Sequence, residues 1–148
     1  MIEIGQQAPD FRLPADDGSE FVLSQQRGSR ILLVFYPGDD TPVCTRQLCE
    51  YRDGIESFSG LGVEVVGISS NDLASHRKFR EKYELPFRLL SDQDLSVAAL
   101  YGCKGMLGMK RAVFLLDEQG VVRYAHIETL SVFRRRAAEL LDVISELP

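Results

Sequence analysis

The sequence predicts an α/β fold with a mixed central β-sheet that helices cover on both faces. Two nearly continuous apolar runs, "RILLVFYP" at residues 30–37 and "GVEVVGISS" at residues 62–70, are typical of strands buried on both faces of a sheet. A helical pattern follows each run, and a late pair of apolar runs precedes a last helix. Strands and helices that alternate and then end in a hairpin and a helix favour such a sheet.

The chain is predicted to open with a β-hairpin. In "FRLPADDGSEFVLS" (residues 11–24) short apolar pieces alternate with turn signals. Asp17-Gly18 stands between two of these pieces, as a hairpin turn would. The first core strand follows the hairpin and ends at Pro37.

A helix is predicted to start directly after this strand. Thr41 suits the N-cap, and Pro42 suits the first helical position, where a missing N–H does no harm. The helix is expected to pass through Cys44 and continue towards Phe58. Gly54 is expected to bend or fray it.

The middle of the chain repeats the alternation of helix and strand. "DLASHRKFREKYEL" (residues 72–85) predicts an amphipathic helix that is capped by Asn71 or Asp72 and whose His76 faces solvent. A short strand, "PFRLLS", and a short helix, "LSVAALYG", follow. The strands "RAVFLLD" and "VVRYAHI" are then joined by the turn "DEQG".

A final helix is predicted from Ser131 to Leu147. Its basic cluster, Arg134-Arg135-Arg136, is predicted to form a solvated face, since short charge runs usually face water. Its apolar residues at helical spacing are predicted to belong to the core: Phe133, Leu140, Leu141 and Ile144.

Length and composition indicate a single domain that spans residues 1–148. The chain has 148 residues, 45% of them apolar, which suffices for a core without metals or disulfides. Its net charge of −5 argues against nucleic acid as a partner. No apolar run approaches the roughly 20 residues that span a bilayer. The start "MIEIGQQAPDF" lacks the features of an export signal, so we expect a cytoplasmic protein without membrane attachment, whose cysteines are reduced.

Two of the three cysteines, Cys44 and Cys49, lie in the segment "YPGDDTPVCTRQLCEY" (residues 36–51). Zinc sites normally use C-x2-C pairs or combine Cys with His. Here the spacing is C-x4-C, and both His76 and His126 are far away in the sequence. A metal site is therefore disfavoured, and so is a disulfide reductase of the C-x2-C type.

Cys44 is placed to be a reactive thiol. It falls in the first turn of the predicted helix, where backbone N–H groups lack partners and the helix dipole presents partial positive charge. Cysteines at helix N-termini often have pKa values below the ordinary value of about 8.5. Cys49 lies more than a turn deeper, so one cysteine is placed to attack and the other is not.

Helix geometry constrains any bond between these two cysteines. Positions 44 and 49 of one continuous helix have Cα atoms about 8.6 Å apart. Disulfides rarely tolerate a Cα separation above about 7 Å. A bond between Cys44 and Cys49 would therefore require the helix start to unwind, which favours a transient disulfide over a permanent one.

These residues resemble the peroxiredoxin family. Pro37, Thr41 and Cys44 stand in the P-x3-T-x2-C arrangement of that family, and "FYPGDDTPVCTRQLCEYRD" resembles its bacterioferritin-comigratory or Q-type subfamily. The resemblance extends to "GQQAPDFRLPADDG", "VEVVGISSND" and "KRAVFLLDEQGVVRY", which is nearly all of the chain. It implies a thioredoxin-like fold and a thiol peroxidase.

The resemblance also implies roles for individual residues. Cys44 would be the peroxidatic nucleophile and Cys49 the resolving thiol. The hydroxyl of Thr41 would hold the peroxide and the thiolate, and Pro37 would shield the thiolate from water. Arg111 would favour the thiolate and polarise the O–O bond of the peroxide.

Of three further positions, one matches the family pattern and two depart from it. Gln47 falls where the family has a Glu or Gln that can orient the arginine. Val43 replaces the Gly that commonly precedes the nucleophile, and a β-branched residue there is expected to stiffen the loop or narrow the pocket. Cys103 has no place in the pattern. It is either a small residue at a helix end, or a second resolving cysteine or intermolecular bridge.

The implied reaction reduces hydrogen peroxide and small organic hydroperoxides. Cys44 would become a sulfenic acid, Cys49 would condense with it to a disulfide, and thioredoxin or a similar dithiol would reduce that bond. No metal, haem or flavin is implied. The alternatives are a one-cysteine peroxidase resolved by an external thiol and a redox-sensing interaction protein without turnover. A long C-terminal arm is absent, which favours a monomer or weak homodimer.

Overall fold

The structure is a computed structural model that describes residues 2–129 and 133–147, and it begins with the predicted hairpin. Strands β1 (Arg12–Pro14) and β2 (Glu20–Val22) pair antiparallel. Gly18 lies in the turn between them with φ of +87°, a conformation that glycine adopts without a steric penalty. The hairpin expected at Asp17-Gly18 is confirmed.

Five of the remaining strands form the central sheet. In chain order the seven strands that follow the hairpin are β3 (Arg30–Phe35), β4 (Val63–Ser69), β5 (Leu89–Ser91), β6 (Lys104–Gly105), β7 (Gly108–Met109), β8 (Ala112–Leu116) and β9 (Val122–Ile127). The sheet order is β5-β4-β3-β8-β9, and β6 pairs with β7 in a separate small hairpin. β3, β4 and β5 run parallel, whereas β8 is antiparallel to both of its neighbours. The expected mixed sheet is therefore confirmed, and the β6–β7 hairpin is an addition to it.

The helices are α1 (Pro42–Asp53), α2 (Ile55–Gly60), α3 (Leu73–Tyr83), α4 (Ser96–Leu100) and α5 (Ala137–Ser145). α1 starts at Pro42 as expected. It ends at Asp53, and Gly54 separates it from α2. α3 is capped by Asp72, whose side chain accepts a hydrogen bond of 2.8 Å from the N–H of Ser75. Within the described residues, no helix combines the length and apolar character needed to cross a membrane.

The sheet separates two apolar cores. Because side chains alternate along a strand, β3 contributes to both. On one face the buried side chains are Ile31, Leu33 and Phe35. On the other face they are Leu32 and Val34, and Tyr36 directly after the strand continues the same side. Cys103 belongs to the first core and Cys44 to the second, so the sheet lies between these two thiols.

The predicted start of the last helix is wrong. α5 begins at Ala137 and not at Ser131. Residues 133–136 precede the helix, and residues 131 and 132 lie outside the described residues. The carboxylate of Glu50 accepts a hydrogen bond of 3.1 Å from the N–H of Ala137, which satisfies a free donor of the first turn of α5. A side chain of α1 thus helps to fix where α5 begins.

Two assignments within this segment are corrected as well. Phe133 precedes the helix and is 58% exposed, so it is not a core residue, whereas Leu140 and Ile144 are buried as expected. The basic cluster also precedes the helix, and two of its arginines pair with carboxylates: Arg135 Nε lies 3.4 Å from Glu128, and Arg136 Nε lies 2.8 Å from Glu50. These contacts hold an extended segment against the body of the protein.

Candidate active site

Cys44 lies in the first turn of α1, the helix that follows β3 in the chain. Thr41 occupies the N-cap with extended φ and ψ of −92° and 153°, and Pro42 starts the helix. Cys44 is 1% exposed and packs in the core on this face of the sheet. The thiol is therefore shielded from bulk water and sits where the positive end of the helix dipole lies.

The hydroxyl of Thr41 does not cap the helix. It donates a hydrogen bond of 2.9 Å to the carbonyl of Gly38 instead, and the side chain accepts no capping hydrogen bond. The capping role expected of this side chain is therefore wrong, although the residue does occupy the N-cap position. The hydrogen bond closes the turn that leads into α1.

Arg111 reaches Cys44 because of the register between β3 and β8. Phe35 lies opposite Ala112 in the antiparallel pair, which brings Arg111 next to the end of β3. The residue Arg111 is 2% exposed, and its Nη2 donates a hydrogen bond of 3.2 Å to Cys44 Sγ. A fixed cation thus lies at hydrogen-bond distance from the thiol, 67 residues away in the sequence.

A chain of hydrogen bonds orients this arginine. Arg111 Nη1 donates to Gln47 Oε1 over 2.6 Å, and Gln47 Nε2 donates to the hydroxyl of Tyr51 over 3.1 Å. The hydroxyl of Tyr51 donates in turn to the carbonyl of Arg135 over 2.5 Å. Burial is the main reason that the pKa of Tyr51 is raised above its ordinary value, so it remains a neutral donor. Sequence reasoning gave Tyr51 no role, because nothing local shows where its hydroxyl points.

Pro37 lines a surface cavity of about 660 Å³ next to Arg111. The β6–β7 hairpin forms another wall of this cavity, and its tip residues Met106 and Leu107 are fully exposed. Glu128 and Thr129 complete the lining. The cavity gives a small molecule a route to the arginine that contacts Cys44.

Cys49 lies on the same unbroken helix as Cys44, and both are free thiols. Cys49 is half-buried, and this burial is the main cause that raises its pKa above the ordinary value. Cys103 is fully buried under the opposite face of the sheet, and burial raises its pKa to about 12. Of the two remaining thiols, only Cys49 shares an element with Cys44.

His76 contradicts the expectation that it faces solvent. It is fully buried on α3, with Nδ1 2.7 Å from Asp39 Oδ2 and Nε2 2.9 Å from the carbonyl of Leu90. Phe79, three residues later, is buried as well, so both residues lie on the helix face that packs against the sheet. The spacing of three residues between His76 and Phe79 is the feature of the sequence that could have indicated a shared buried face. The polar residues around His76 made that face hard to recognise.

Asp39 is the second residue that sequence reasoning missed. Besides His76, its carboxylate accepts hydrogen bonds from the hydroxyl of Tyr36 over 2.6 Å and from the hydroxyl of Ser75 over 2.8 Å. These partners come from the residue directly after β3 and from α3, which are far apart in the sequence. Within the described residues, no three side chains of His, Cys, Asp or Glu converge on a point that could hold a metal ion.

The comparison with known sequences identifies a family. The model of the AhpC/TSA family matches residues 4–125. The chain is 44% identical over 129 residues to the putative peroxiredoxin bcp of Coxiella burnetii, covering 82% of this chain and 85% of that protein. It is 41% identical over 127 residues to peroxiredoxin Bcp of Bacillus subtilis, covering 80% of this chain and 81% of that protein. The chain spans a smaller part, 59%, of the chloroplastic peroxiredoxin Q of Oryza sativa subsp. japonica, with 43% identity over 128 residues and 84% of this chain covered.

Solved structures agree with these sequence relatives. Peroxidoxin BcpB of Mycobacterium tuberculosis superimposes with a TM-score of 0.85 at 30% identity, covering 98% of this chain and 96% of that one. A PrxQ cysteine mutant from Xylella fastidiosa gives a TM-score of 0.88 at 22% identity over 98% of this chain and 96% of that one, which supports the fold alone. The chain therefore belongs to the AhpC/TSA family and, within it, to the peroxiredoxins of the Bcp and Q type, which are thiol-dependent peroxidases with a thioredoxin-like fold.

Proposed function

We propose that the protein reduces hydrogen peroxide and small organic hydroperoxides with Cys44 as the peroxidatic nucleophile. The contact of 3.2 Å between Arg111 Nη2 and Cys44 Sγ is the observation that carries this proposal. It joins a cysteine at a helix N-terminus to a buried, oriented guanidinium, which is an arrangement that favours a nucleophilic thiolate.

In the first step the Cys44 thiolate attacks one oxygen of the peroxide. An S–O bond forms and the O–O bond breaks. The leaving oxygen takes up a proton and departs as water or an alcohol, and Cys44 becomes a sulfenic acid. The guanidinium of Arg111 stabilises the negative charge that develops on the leaving oxygen, and Gln47 keeps it aimed at the sulfur.

Thr41 and Pro37 shape the place where the peroxide binds. The Thr41 hydroxyl is fixed by its bond to the Gly38 carbonyl, and its oxygen remains able to accept a hydrogen bond from the peroxide. Pro37 lines the cavity next to Arg111, and its proposed role is to limit the access of water to the thiol. Both residues therefore act on the peroxide or on the thiolate rather than on the fold alone.

In the second step the Cys49 thiol attacks the sulfur of the sulfenic acid. An S–S bond forms, and the hydroxyl leaves as water with the thiol proton. Since both cysteines lie in one helix, the start of α1 unwinds before the sulfurs can meet. Thioredoxin or a similar dithiol then reduces the disulfide and returns both thiols.

Three broader features belong to the same proposal. The chain acts as a single domain over residues 1–148, as a monomer or weak homodimer, in the cytoplasm. A reducing compartment suits a cycle in which Cys44 and Cys49 start as thiols. The β6–β7 hairpin beside the cavity leaves the route to Arg111 open in a monomer.

The cleavage site at Arg46 between the cysteines provides the decisive experiment. Reduced protein receives one equivalent of hydrogen peroxide, free thiols are blocked, and trypsin digestion proceeds without reductant. We expect a disulfide between "ILLVFYPGDDTPVCTR" and "QLCEYR", which contain Cys44 and Cys49. The variant Cys49→Ser should lose this linked pair, and Cys103→Ser should retain it.

Other results would point to the alternatives. Sulfenic or sulfinic acid at Cys44 with Cys49 still blocked as a thiol would favour a one-cysteine cycle. Linkage to "LLSDQDLSVAALYGCK" would make Cys103 the resolving residue. Oxidation of Cys44 without consumption of further peroxide, even with thioredoxin and its reductase present, would favour a redox sensor. An unoxidised Cys44 would refute the peroxidase assignment of this residue.

A further inference from the structure

We propose that Asp39 and His76 are a positioning pair that holds the loop before α1 and thereby sets how readily the start of α1 unwinds. This role rests on the proposed function, in which unwinding precedes the disulfide between Cys44 and Cys49. Neither residue touches the sulfur or the peroxide. They act through the loop at residues 37–41, which carries Pro37 and Thr41.

The pair is the centre of a buried polar network. Asp39 Oδ1 accepts a hydrogen bond of 2.6 Å from Tyr36, and Oδ2 lies 2.7 Å from His76 Nδ1. The side chains of Asp39 and His76 are 3% and 0% exposed. The backbone N–H of Asp39 also donates to Asn71 Oδ1 over 2.9 Å. One loop residue is thus attached to the residue that directly follows β3, to α3 and to the segment after β4.

The geometry requires a proton between Asp39 and His76. The carbonyl of Leu90 can only accept, so His76 Nε2 carries the hydrogen of that 2.9 Å contact. Nδ1 and Asp39 Oδ2 would then repel each other at 2.7 Å unless a second proton lies between them. The contact is therefore a buried hydrogen bond between two ionisable side chains, with the proton held between them.

The next residue in the chain shows what a weaker attachment looks like. The carboxylate of Asp40 accepts hydrogen bonds from Lys82 over 2.8 Å and from Tyr83 over 2.7 Å, on the same helix α3. These contacts lie at the surface, where ion pairs contribute little. Asp39 and Asp40 therefore offer a matched pair, one buried and one exposed, between the same loop and the same helix.

The network lies next to the reactive thiol. Tyr36 and Cys44 belong to the same core cluster. The pKa of Tyr36 is raised well above its ordinary value, mainly by burial and further by the charges of Asp39 and Cys44. Fixing Asp39 therefore fixes the wall of the thiol pocket and the N-cap of its helix together.

The experiment measures the rate of disulfide formation after Cys44 has been oxidised, by acid quench, thiol blocking and mass analysis. His76→Phe fills the space but leaves the Asp39 carboxylate facing an apolar ring, and Asp39→Ala removes the acceptor. We expect both to accelerate disulfide formation by about tenfold, since breaking a buried hydrogen bond and leaving its partner unsatisfied corresponds to about that factor. The sulfinic acid fraction at a fixed excess of peroxide should fall accordingly.

Two conservative variants serve as controls. Asp39→Asn can still accept from Tyr36 and can donate to a neutral His76, so we expect a smaller change, within about threefold. Asp40→Asn should match the unchanged protein, and Asn tolerates the φ of +55° that Asp40 adopts. A merely structural role would lower stability without shifting the balance between disulfide and sulfinic acid.

Amide hydrogen exchange provides a measurement that does not depend on catalysis. In reduced protein the N–H of Thr45 bonds the carbonyl of Thr41. We expect faster exchange at Thr45 and Arg46 in His76→Phe, a smaller acceleration in Asp39→Asn, and unchanged exchange at residues 50–53. If Asp39→Ala fails to fold, His76→Phe still decides. Disulfide rates and exchange equal to those of the unchanged protein in folded His76→Phe would overturn the inference. A lack of Cys44–Cys49 disulfide in the unchanged protein would instead refute the proposed function, and the exchange data would remain a test of the pair.

Discussion

The N-terminal half of α1, residues 42–47, and its C-terminal half, residues 48–53, are attached to the protein in different ways. Among the described residues, the side chain that attaches the N-terminal half is Arg111, from which Cys44 and Gln47 both accept. The hydroxyl of Thr45 is buried without a hydrogen-bond partner in the described part of the chain, which costs free energy in the folded helix. This half contains the cysteine that has to move.

The C-terminal half has three separate attachments. Glu50 accepts from the N–H of Ala137, and the hydroxyl of Tyr51 donates to the carbonyl of Arg135. Arg52 donates to the carbonyl of Tyr83 over 2.6 Å. Two of these bonds reach the segment at the start of α5, and the third reaches the end of α3, so this half is anchored more firmly than the first.

The difference indicates where unwinding stops. Cys49 lies at the edge of the anchored half, next to Glu50, so it keeps its place while Cys44 moves towards it. A helix that unwinds only from its start loses few hydrogen bonds, and its remainder guides the return. The firmly attached C-terminal half, which we call the firm half, thus makes the motion of the N-terminal half, the loose half, short and reversible.

Replacing Arg111 tests the attachment of the loose half. For Arg111→Met we expect the rate constant of Cys44 with hydrogen peroxide to fall by about 10² to 10³, as for the loss of one donor aimed at a developing charge. Stopped mixing and acid quench would measure it. Arg123→Met, which removes an arginine paired with Asp117 on the sheet, should leave the rate unchanged. A rate in Arg111→Met within a factor of two or so of the unchanged protein would contradict the role of the guanidinium.

Replacing Tyr51 loosens the firm half. Tyr51→Phe leaves the Arg135 carbonyl and the Gln47 amide without their partner, so we expect the free energy of unfolding to fall by about 1 to 3 kcal/mol. Urea denaturation measures this change. Tyr83→Phe is the matched control, because its hydroxyl bonds an exposed carboxylate and its loss should cost less than about 0.5 kcal/mol. Equal losses in both variants would show that Tyr51 is not a special anchor.

The pH dependence of disulfide formation tests Cys49 in its fixed position. Burial raises the pKa of this thiol, so at neutral pH it is mostly protonated and attacks slowly. As the pH rises towards the raised pKa, the thiolate fraction grows, and the rate should increase by up to about tenfold per pH unit. The rate of disulfide formation from about pH 6 to about pH 9 checks this expectation. A flat profile would mean that unwinding alone limits the step.

Replacing Val43 loosens the first half without removing any attachment. Glycine lowers helix stability relative to valine by about 0.5 kcal/mol, so Val43→Gly should accelerate disulfide formation by about two- to threefold. Its rate constant with hydrogen peroxide should change less, because the Arg111 contact is kept. An unchanged disulfide rate would argue that Val43 does not restrain unwinding.

Local sequence signals predicted the elements whose causes are local. The apolar run at residues 30–37, the Asp17-Gly18 turn and the Thr41-Pro42 helix start were all found where expected. The last helix was misplaced, because its start depends on Glu50 of α1, 87 residues away. His76 was misplaced for a similar reason, since its burial depends on partners from the loop and from β5.

The sequence by itself determined the order of strands and helices, the helix start that carries Cys44, and the resemblance that led to the family. These depend on residues next to one another, whose propensities and spacings act before the chain folds. Only the tertiary structure decided that Arg111 contacts the thiol, that Cys103 is separated from it by the sheet, and that Asp39 lies within hydrogen-bond distance of His76. Strand register and packing bring such distant residues within hydrogen-bond range, and neither can be read from any single segment of the chain.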